Sequence, residues 1–394
     1  MNYILFDDPN IRQQLLPITF TRPVCEIRIG IMTVREKWEY ELGTNFSVQT
    51  EQYLSYKYPL NVSGVHDNIW INASVLPDSD MVKAIKNLRA DKMLTCDNII
   101  IAKNSGRRTT REGKYQRVEW RKDGLFRIGR PWEIFLKNGD ALEQDFKRLS
   151  RGRKSASVSI TNTLLGKNIF IEKGAKLECA IINSGSGPVY IGRDTEIMEG
   201  AVIKGPVAIC EGAVVKAGAK IYGPTTIGPY SKVGGEVNNS VIFGYSNKGH
   251  DGFLGNSVLG EWCNLGADTN NSNLKNNYSE VKMWSYAEKR EIPTGLTFCG
   301  MIMGDHSKCG INTMFNTGTV VGVSANIFGA GFPNKFVPSF SWGGAAGITT
   351  YRLQDACETA GRVFVRRHKK FDAKERDILS YVFSITKKER TLKA

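Results

Sequence analysis

The stretch that decides the fold is IGRDTE-IMEGAV-IKGPVA-ICEGAV-VKAGAK-IYGPTT-IGPYSK-V, residues 191–233, in which every sixth residue is aliphatic. This period fits neither an α-helix, with about 3.6 residues per turn, nor a strand that alternates every two residues. It fits a triangular prism in which three short strands, about eighteen residues together, complete one turn. The sequence therefore predicts a parallel β-helix whose aliphatic side chains point into the prism.

A second run with the same period follows a polar interruption. Its members are Met303, Cys309, Phe315, Val321 and Ile327. One β-helix is expected to span both runs, over residues 155–347, and to end at the stretch Trp342–Gly347. Residues 350–394 predict a tail of amphipathic helices that divides near Phe371.

Residues 1–150 alternate between strand and helix patterns. The predicted strands are Tyr3–Phe6, Ile69–Ile71 and Asn98–Ala102, and the predicted helices are Val34–Tyr40 and Met81–Leu88. Alternation of this kind is typical of an α/β domain of the Rossmann-like class. The chain is thus predicted to join an α/β domain to a β-helix and a helical tail.

The amino-acid composition indicates which classes of ligand the protein is expected to bind. The chain has 53 basic and 39 acidic residues, a net charge of +14, which favours anionic ligands such as phosphates or coenzyme A. The basic residues concentrated in the tail, from Arg362 to Lys370 and from Lys387 to Arg390, match no nucleic-acid-binding motif, so we expect no nucleic-acid partner. The eight cysteines form no Cys-x-x-Cys pair, which predicts neither zinc nor disulfides. Without a long apolar run or a basic leader, we expect a cytoplasmic protein that does not bind membranes.

Polar residues crowd the interruption between the two repeat runs, at residues 235–278. Within it, GHDGFLG at residues 249–255 and NLGADT at residues 264–269 resemble the acetyltransferase half of the bifunctional N-acetylglucosamine-1-phosphate uridyltransferase/glucosamine-1-phosphate acetyltransferase family. The resemblance implies a left-handed β-helix, a homotrimer with sites between neighbouring prisms, acetyl-CoA as co-substrate, and an amino-sugar 1-phosphate as acceptor.

The resemblance also implies roles for single residues. His250 matches the general base that takes a proton from the amine, and imidazole suits that task because it titrates near neutral pH. Phe253, Asn264 and Asn273 match positions that line the sugar and acetyl pocket, and Ala267 matches a position that lines the coenzyme. An ordinary asparagine of a stacked turn is the alternative interpretation for each Asn.

Further candidates follow from the residues around these positions. Asn238 stands where the family has a phosphate-binding Lys, so Lys248 and Lys275 are candidates to restore that charge. A lysine whose charge simply faces water is the alternative. Small residues of the second run could admit a pantetheine arm or merely turn corners: Gly310, Gly329 and Ala330.

Two passages of the first half resemble sugar nucleotidyltransferases: LPITFTRP at residues 16–23 and RPWEIFLKN at residues 130–138. The glycine-rich phosphate loop of that family is missing, and DDPNIRQQ at residues 7–14 stands in its place. If the domain binds UTP, the candidate phosphate contacts are Arg12, Arg22 and Lys37. The candidate Mg²⁺ ligands are Asp7 and Asp8. A degenerate domain kept for packing or regulation is the alternative.

The sequence thus predicts an acetyl-CoA-dependent N-acetyltransferase that acts on an amino-sugar 1-phosphate, most closely glucosamine 1-phosphate. Its first domain would complete the nucleotide sugar UDP-N-acetylglucosamine for envelope polysaccharide. Two other hypotheses stay open: a sugar-1-phosphate nucleotidyltransferase whose β-helix only drives oligomerisation, and a non-catalytic scaffold. The β-helix contains His250 and His306 alone among histidines, too few for a metal site of the His-ligated kind.

Overall fold

The structure is a computed structural model that describes residues 1–120 and 124–390. The chain divides into two compact units. The first consists of residues 1–15 and 21–27 and the described residues between 32 and 130, and the second consists of residues 16–20 and 28–31 and the described residues from 131 onward.

A mixed sheet forms the centre of the first unit. In spatial order its strands are Ser47–Gln49, Asn2–Phe6, Asn68–Asn72, Ile99–Asn104, Lys92–Cys96 and Gln116–Glu119. The strand Asn2–Phe6 runs parallel to both of its neighbours, and the strand Ile99–Asn104 is antiparallel to both of its own. The helices of the unit are Pro9–Gln14, Val34–Leu42, Gln52–Ser55 and Ser79–Lys86. The predicted α/β alternation is confirmed.

The helix Val34–Leu42 shows how local sequence fixes an element. Thr33 precedes it, and the Thr33 side chain accepts the amide of Glu36 while the Glu36 side chain accepts the amide of Thr33. This reciprocal capping satisfies two amides that have no partner within a helix. Gly43 ends the helix with φ +66°, a conformation that costs glycine little.

The second unit contains the predicted parallel β-helix, whose described strands lie in three sheets, here called the first, second and third faces. The first face comprises Thr163–Leu165, Ile181–Asn183, Val202–Lys204, Lys220–Tyr222, Glu236–Asn238 and Phe253–Gly255, and continues in the pair Asn270–Asn271 and Met314–Phe315. The second face comprises Ile169–Ile171, Val189–Ile191, Val207–Ile209, Thr225–Ile227, Val241–Ile242, Val258–Leu259, Met301–Met303, Thr319–Val321 and Phe336–Val337. The third face comprises Lys176–Leu177, Glu196–Ile197, Val214–Val215, Lys232–Val233, Asn247–Lys248, Asn264–Leu265, Lys308–Cys309, Asn326–Ile327, Ser341–Gly344 and the antiparallel strand Gly347–Thr350.

The six-residue period places its aliphatic residues where it predicts. The eight members of the first run, from Ile191 to Val233, are each at most 2% exposed, and the five of the second run are at most 5% exposed. Parallel pairing stacks them coil upon coil, as in the column Ile197, Val215 and Val233. Each fully buried side chain of this size contributes about 1.5–3 kcal/mol, so the column of stacked aliphatics stabilises the prism.

An aromatic column lines the corner between the second and third faces. Tyr230, Tyr245, Trp262 and His306 each adopt a positive φ there, between 56° and 63°. Successive rings stack, with 5.3 Å between the centroids of Tyr230 and Tyr245 and 4.2 Å between those of Tyr245 and Trp262. Phe364 stacks on Trp262 at 4.0 Å. The column is therefore the surface on which the tail docks.

The tail contains two long helices, Leu353–Val365 and Ala373–Ile385, and the short helix Lys387–Arg390. The predicted division near Phe371 is confirmed. Arg390 holds the end of the described tail, because its guanidinium donates to the carbonyl of Phe383 at 2.6 Å and to the Thr386 hydroxyl at 2.7 Å.

The helix Asn138–Ser150, assigned from sequence to the first domain, packs within the second unit, as does the short helix Glu133–Leu136. Leu142 joins a buried cluster with Phe170 and Tyr190 of the β-helix. Apolar burial against the second face explains this placement, which the alternating sequence pattern alone does not specify.

An antiparallel hairpin leaves the β-helix between its coils. Its strands are Lys282–Ser285 and Arg290–Pro293, and Trp284 stacks on Phe336 of the second face with centroids 4.3 Å apart. Among the helices in the described part of the chain, none is both long and apolar enough to cross a membrane.

Candidate active site at a corner of the β-helix

The candidate catalytic histidine lies where the β-helix changes its coil length. Register pairing spans 18 residues from Val215 to Val233 but 15 from Val233 to Lys248. Immediately after this short coil, the corner formed by residues 249–252 joins the third-face strand Asn247–Lys248 to the first-face strand Phe253–Gly255. His250 is exposed on this corner.

The corner is packed tightly on the coil that follows. Gly252 has φ +107°, and a Cβ atom there would lie 2.2 Å from the carbonyl oxygen of Thr269. The amide of Phe253 donates to Oδ1 of Asn270 at 2.8 Å, and Nδ2 of Asn270 donates to the carbonyl of Asp268 at 2.8 Å. Gly252 is therefore required both by its φ and by the close approach of the neighbouring coil.

Lys248 occupies an inward position beside this corner. Its residue is 2% exposed, and it pairs in register with the fully buried Val233. Its ammonium donates to the carbonyl of His250 at 2.7 Å and to the carbonyl of Asp251 at 3.1 Å. Burial lowers the pKa of Lys248 to about 8, an effect that the carboxylates of Asp251 and Asp268 partly offset.

Asparagine side chains link the coils around the corner. Nδ2 of Asn273 donates to Oδ1 of Asn256 at 2.7 Å, and Nδ2 of Asn247 donates to Oδ1 of Asn264 at 2.8 Å. Asn271 is buried, and its amide group accepts the Gly255 N–H at 2.9 Å and donates to the Gly255 carbonyl at 3.0 Å. These contacts satisfy part of each amide and fix its orientation.

The predicted sugar-pocket residues are all accessible in part. Phe253, Asn264 and Asn273 are half-buried. A Cβ atom on Gly255 would lie 2.5 Å from Cζ of Phe253 and 2.8 Å from Nδ2 of Asn273. The structure therefore brings Phe253 and Asn273 together across Gly255, one strand from the His250 corner.

The predicted coenzyme residues lie along successive coil edges. Ala267 is half-buried, and its carbonyl accepts the amide of Asn312 at 2.8 Å. Gly310 is half-buried and stacks on Gly266, where a Cβ atom would meet the Gly310 carbonyl at 2.4 Å. Gly329 and Ala330 are exposed. Small residues at these edges leave a surface on which an extended chain could lie.

The two lysines predicted to contact phosphate donate hydrogen bonds to protein groups in this structure. Lys248 bonds the corner carbonyls from inside the prism. The ammonium of Lys275 donates to the Ser279 hydroxyl at 3.3 Å and to the Glu280 carbonyl. This geometry favours a structural task for Lys248 over a direct contact with a phosphate.

In the first unit, Asp7 and Asp8 each have protein partners. Asp7 is 8% exposed and accepts the Val24 amide at 2.9 Å and the Thr50 hydroxyl at 2.6 Å. Burial raises the pKa of Asp7 to about 6. Asp8 caps the helix Pro9–Gln14 by accepting the amides of Asn10 and Ile11. Both carboxylate oxygens of Asp7 and one of Asp8 thus accept hydrogen bonds.

The basic candidates of the first unit are buried as well. Arg12, Arg22 and Lys37 are 6%, 4% and 1% exposed. Arg12 lies 3.5 Å from the Asp7 carboxylate and donates to the Tyr53 hydroxyl at 2.7 Å. Across residues 1–120 and 124–390, no group of three or more His, Cys, Asp or Glu residues converges on one point.

Sequence reasoning missed three contributors to the corner. Asp251 and Asp268 supply charge beside Lys248, and Asn270 holds the Phe253 amide. A signal for Lys248 was present, since a lysine two residues before the candidate base falls on the strand that leads into the corner. Its inward direction could not be read because the 15-residue coil shifts the phase of the repeat.

Comparison with known proteins places these features in a context. Residues 3–154 match the sugar nucleotidyl transferase family. A bifunctional sugar-1-phosphate nucleotidylyltransferase/acetyltransferase of Sulfurisphaera tokodaii is 27% identical over 274 residues, 66% of this chain and 61% of that protein. The bifunctional protein GlmU of Methanococcus aeolicus is 30% identical over 197 residues, 50% of this chain and 41% of that protein.

A solved structure of the polySia specific acetyltransferase NeuO aligns with 48% of this chain and 82% of that chain, at 16% identity and a TM-score of 0.26. The chain spans less than two thirds of the length of the two curated relatives, 61% and 41%.

In this chain, a segment that matches the sugar nucleotidyl transferase family precedes a parallel β-helix with a six-residue repeat. The curated relatives that the chain resembles in sequence are thus named as bifunctional proteins, a sugar-1-phosphate nucleotidylyltransferase/acetyltransferase and a GlmU.

Proposed function

We propose that this protein is an acetyl-CoA-dependent N-acetyltransferase that acts on an amino-sugar 1-phosphate, with glucosamine 1-phosphate as the acceptor to test first. The observation that carries the proposal is His250, an exposed histidine on a tightly packed corner beside a strip of asparagines. In the described part of the chain, no hydrogen bond or ion pair engages its imidazole. A base that is rigidly carried yet uncommitted suits proton abstraction.

The reaction needs one base and no covalent intermediate. Neutral His250 accepts a proton from the acceptor amine while the nitrogen attacks the thioester carbonyl carbon. The new C–N bond forms as the C–S bond breaks, and the proton passes from the imidazolium to the departing coenzyme A thiolate. The products are the N-acetylated sugar phosphate and free coenzyme A.

The surrounding residues would bind and orient the two substrates. Phe253, which meets Asn273 across Gly255, offers an apolar edge beside amide groups, a combination that suits a sugar ring. The small residues Ala267 and Gly310 are half-buried on adjacent coil edges, where an extended pantetheine arm would lie. Gly329 and Ala330 extend that edge and are exposed.

The test is the release of free thiol from acetyl-CoA with glucosamine 1-phosphate as acceptor and glucosamine as the phosphate-free control. His250→Ala should lower kcat by about 100-fold or more, because a general base typically contributes that factor. His66→Ala is the matched control, since His66 is also exposed but lies in the first unit. Equal turnover by wild type and His250→Ala would contradict the proposal.

A second activity is favoured by a separate observation, the match of residues 3–154 to the sugar nucleotidyl transferase family. We propose that the first domain transfers a nucleotide from UTP to N-acetylglucosamine 1-phosphate, which yields UDP-N-acetylglucosamine and pyrophosphate. The measurement is pyrophosphate release with each nucleoside triphosphate in turn. Release that does not depend on the sugar phosphate would contradict it.

We further propose that the protein works in the cytoplasm as a homotrimer. A single prism offers flat faces, and a second copy would supply the other wall of the site. Apolar side chains exposed on the upper coils, such as Ile311 at 71% and Phe298 at 49%, support contact between copies. Analytical ultracentrifugation should give three times the mass of the 43.8 kDa chain. A sedimenting monomer would contradict the trimer.

A further inference from the structure

A charged residue interrupts an otherwise apolar column inside the β-helix. On the third face, Val215 pairs with Val233 and Val233 pairs with Lys248. Leu265 follows in the next coil, since the preceding residues Asn247 and Asn264 pair in register. Lys248 is 2% exposed, and the other members of the column, Val215, Val233 and Leu265, are each at most 2% exposed. A buried lysine costs free energy that a valine would not, so its presence requires a reason other than packing.

The contacts of the ammonium supply that reason. Lys248 donates to the carbonyls of His250 and Asp251, the two residues at the tip of the corner. The amide of Asp268, on the next coil, donates to the same Asp251 carbonyl at 3.1 Å. The Asp251 carbonyl is therefore held from the prism interior by Lys248 and from the following coil by Asp268.

The charges around the corner agree with this arrangement. The carboxylates of Asp251 and Asp268 both interact favourably with the Lys248 ammonium. Asp268 adopts φ +53°, in the left-handed region that glycine occupies most readily and that aspartate tolerates. An acidic residue at that corner thus compensates the lysine inside.

We infer that Lys248 is a positioning residue for His250, fixing the corner from inside the prism so that the imidazole points where the acceptor amine must lie. This inference rests on the proposed acetyl transfer. The Lys248 ammonium donates to the carbonyls of His250 and Asp251, so its effect on the imidazole passes through the backbone of these two residues. Because a displacement of about 1 Å of a catalytic group can reduce turnover about 100-fold, two backbone bonds at this corner are sufficient to matter.

Two substitutions distinguish the effect of the hydrogen-bond donor of Lys248 from the effect of its charge. Lys248→Met keeps the length and apolar stem of the side chain but has no donor, and Lys248→Gln keeps an N–H donor without a charge. We expect Lys248→Met to lower kcat by about 10- to 100-fold with the KM for acetyl-CoA changed by less than about threefold. Lys248→Gln should recover part of the loss, because a neutral donor still reaches the corner.

Val215→Ala is the matched control for a core substitution. Val215 lies in the same column two coils away and is fully buried. The Val215→Ala protein should be less stable than the wild type because it lacks two buried methyl groups, yet it should retain the wild-type kcat. A loss of kcat equal to that of Lys248→Met would show that core damage alone explains the effect, and would overturn the inference.

Hydrogen exchange followed by mass spectrometry tests the corner without relying on activity. Peptides covering residues 249–255 should exchange faster in Lys248→Met than in the wild type. In Val215→Ala they should exchange at the wild-type rate. If His250→Ala turns over as fast as wild type, the proposed function fails, and exchange still decides whether Lys248 holds the corner. Unchanged exchange in Lys248→Met, or faster exchange with a wild-type kcat, would overturn the positioning role.

Discussion

Lys248→Met should make the β-helix more stable at neutral pH even as it loosens the corner. The ordinary pKa of lysine is 10.5, and burial lowers that of Lys248 to about 8. Carrying the ammonium inside the native prism at pH 7 therefore costs about 3 kcal/mol. Methionine forfeits the bond to the His250 carbonyl, worth about 2 kcal/mol because its donor is charged, whereas the Asp251 carbonyl keeps its bond from Asp268. The expected net gain is about 1 kcal/mol.

The pH dependence identifies the cause of that gain. Below pH 8 the native and the unfolded chain both carry the ammonium, so the wild type bears the full cost. Between pH 8 and 10.5 the native state holds fewer protons than the unfolded state, and the stability of the wild type rises with pH. The advantage of Lys248→Met should therefore be greatest below pH 8 and shrink as the pH approaches 10.5.

The assay is unfolding in guanidinium chloride followed by tryptophan fluorescence, in steps from pH 7 to pH 10. Val215→Ala identifies the unfolding transition of the β-helix, because Val215 lies inside the prism and its loss should shift only that transition. An advantage of Lys248→Met that does not change with pH would refute the electrostatic reasoning. A less stable Lys248→Met at pH 7 would show that the two backbone bonds outweigh the cost of burying the charge.

Three further predictions concern other parts of the chain. Because burial raises the pKa of Asp7 to about 6, the native state holds more protons than the unfolded state between about pH 4 and 6. Wild-type stability should fall with rising pH across that window, and urea titrations of Asp7→Asn should lack this decline of about 3 kcal/mol. Phe364→Ala removes the ring stacked on Trp262 and should expose the tail to trypsin several-fold faster, while an unchanged cleavage rate would contradict the docking role. Gly252→Ala, whose Cβ would meet the Thr269 carbonyl at 2.2 Å, should abolish thiol release while circular dichroism retains the β-helix signal.

The architecture of the β-helix could be predicted from sequence because its cause is local and repeated. One aliphatic residue in six must face the interior, so Ile191 to Val233 specify the prism through eight equivalent positions. Of the strands described in the first unit, three were likewise predictable from short patterns, among them the buried strand Asn68–Asn72. The packing of the helix Asn138–Ser150 within the second unit was not, since it depends on side chains distant in sequence such as Phe170.

The corner between the two repeat runs shows why the candidate site was only partly predictable. Its histidine could be found from a motif, but the neighbours of that histidine belong to successive coils and meet only through the register. Shortening one coil to 15 residues turns Lys248 inward, where residue type alone would assign it to the surface. Sequence reasoning treats lysine as an exposed cation that can reach a phosphate, and the backbone geometry instead gives it two carbonyl partners.

Two departures from the repeat meet at this corner, a shortened coil and a charge in the apolar column, and Asp268 of the following coil lies beside them. The buried charge alone would weaken the prism. Together they compensate, because the short coil directs Lys248 inward, the lysine bonds the corner carbonyls, and Asp268 offsets the buried charge. A valine in the column would avoid the cost of burying the charge. The prism therefore sacrifices stability where it must hold His250, and the opposite expected effects of Lys248→Met on stability and on turnover follow from that single arrangement.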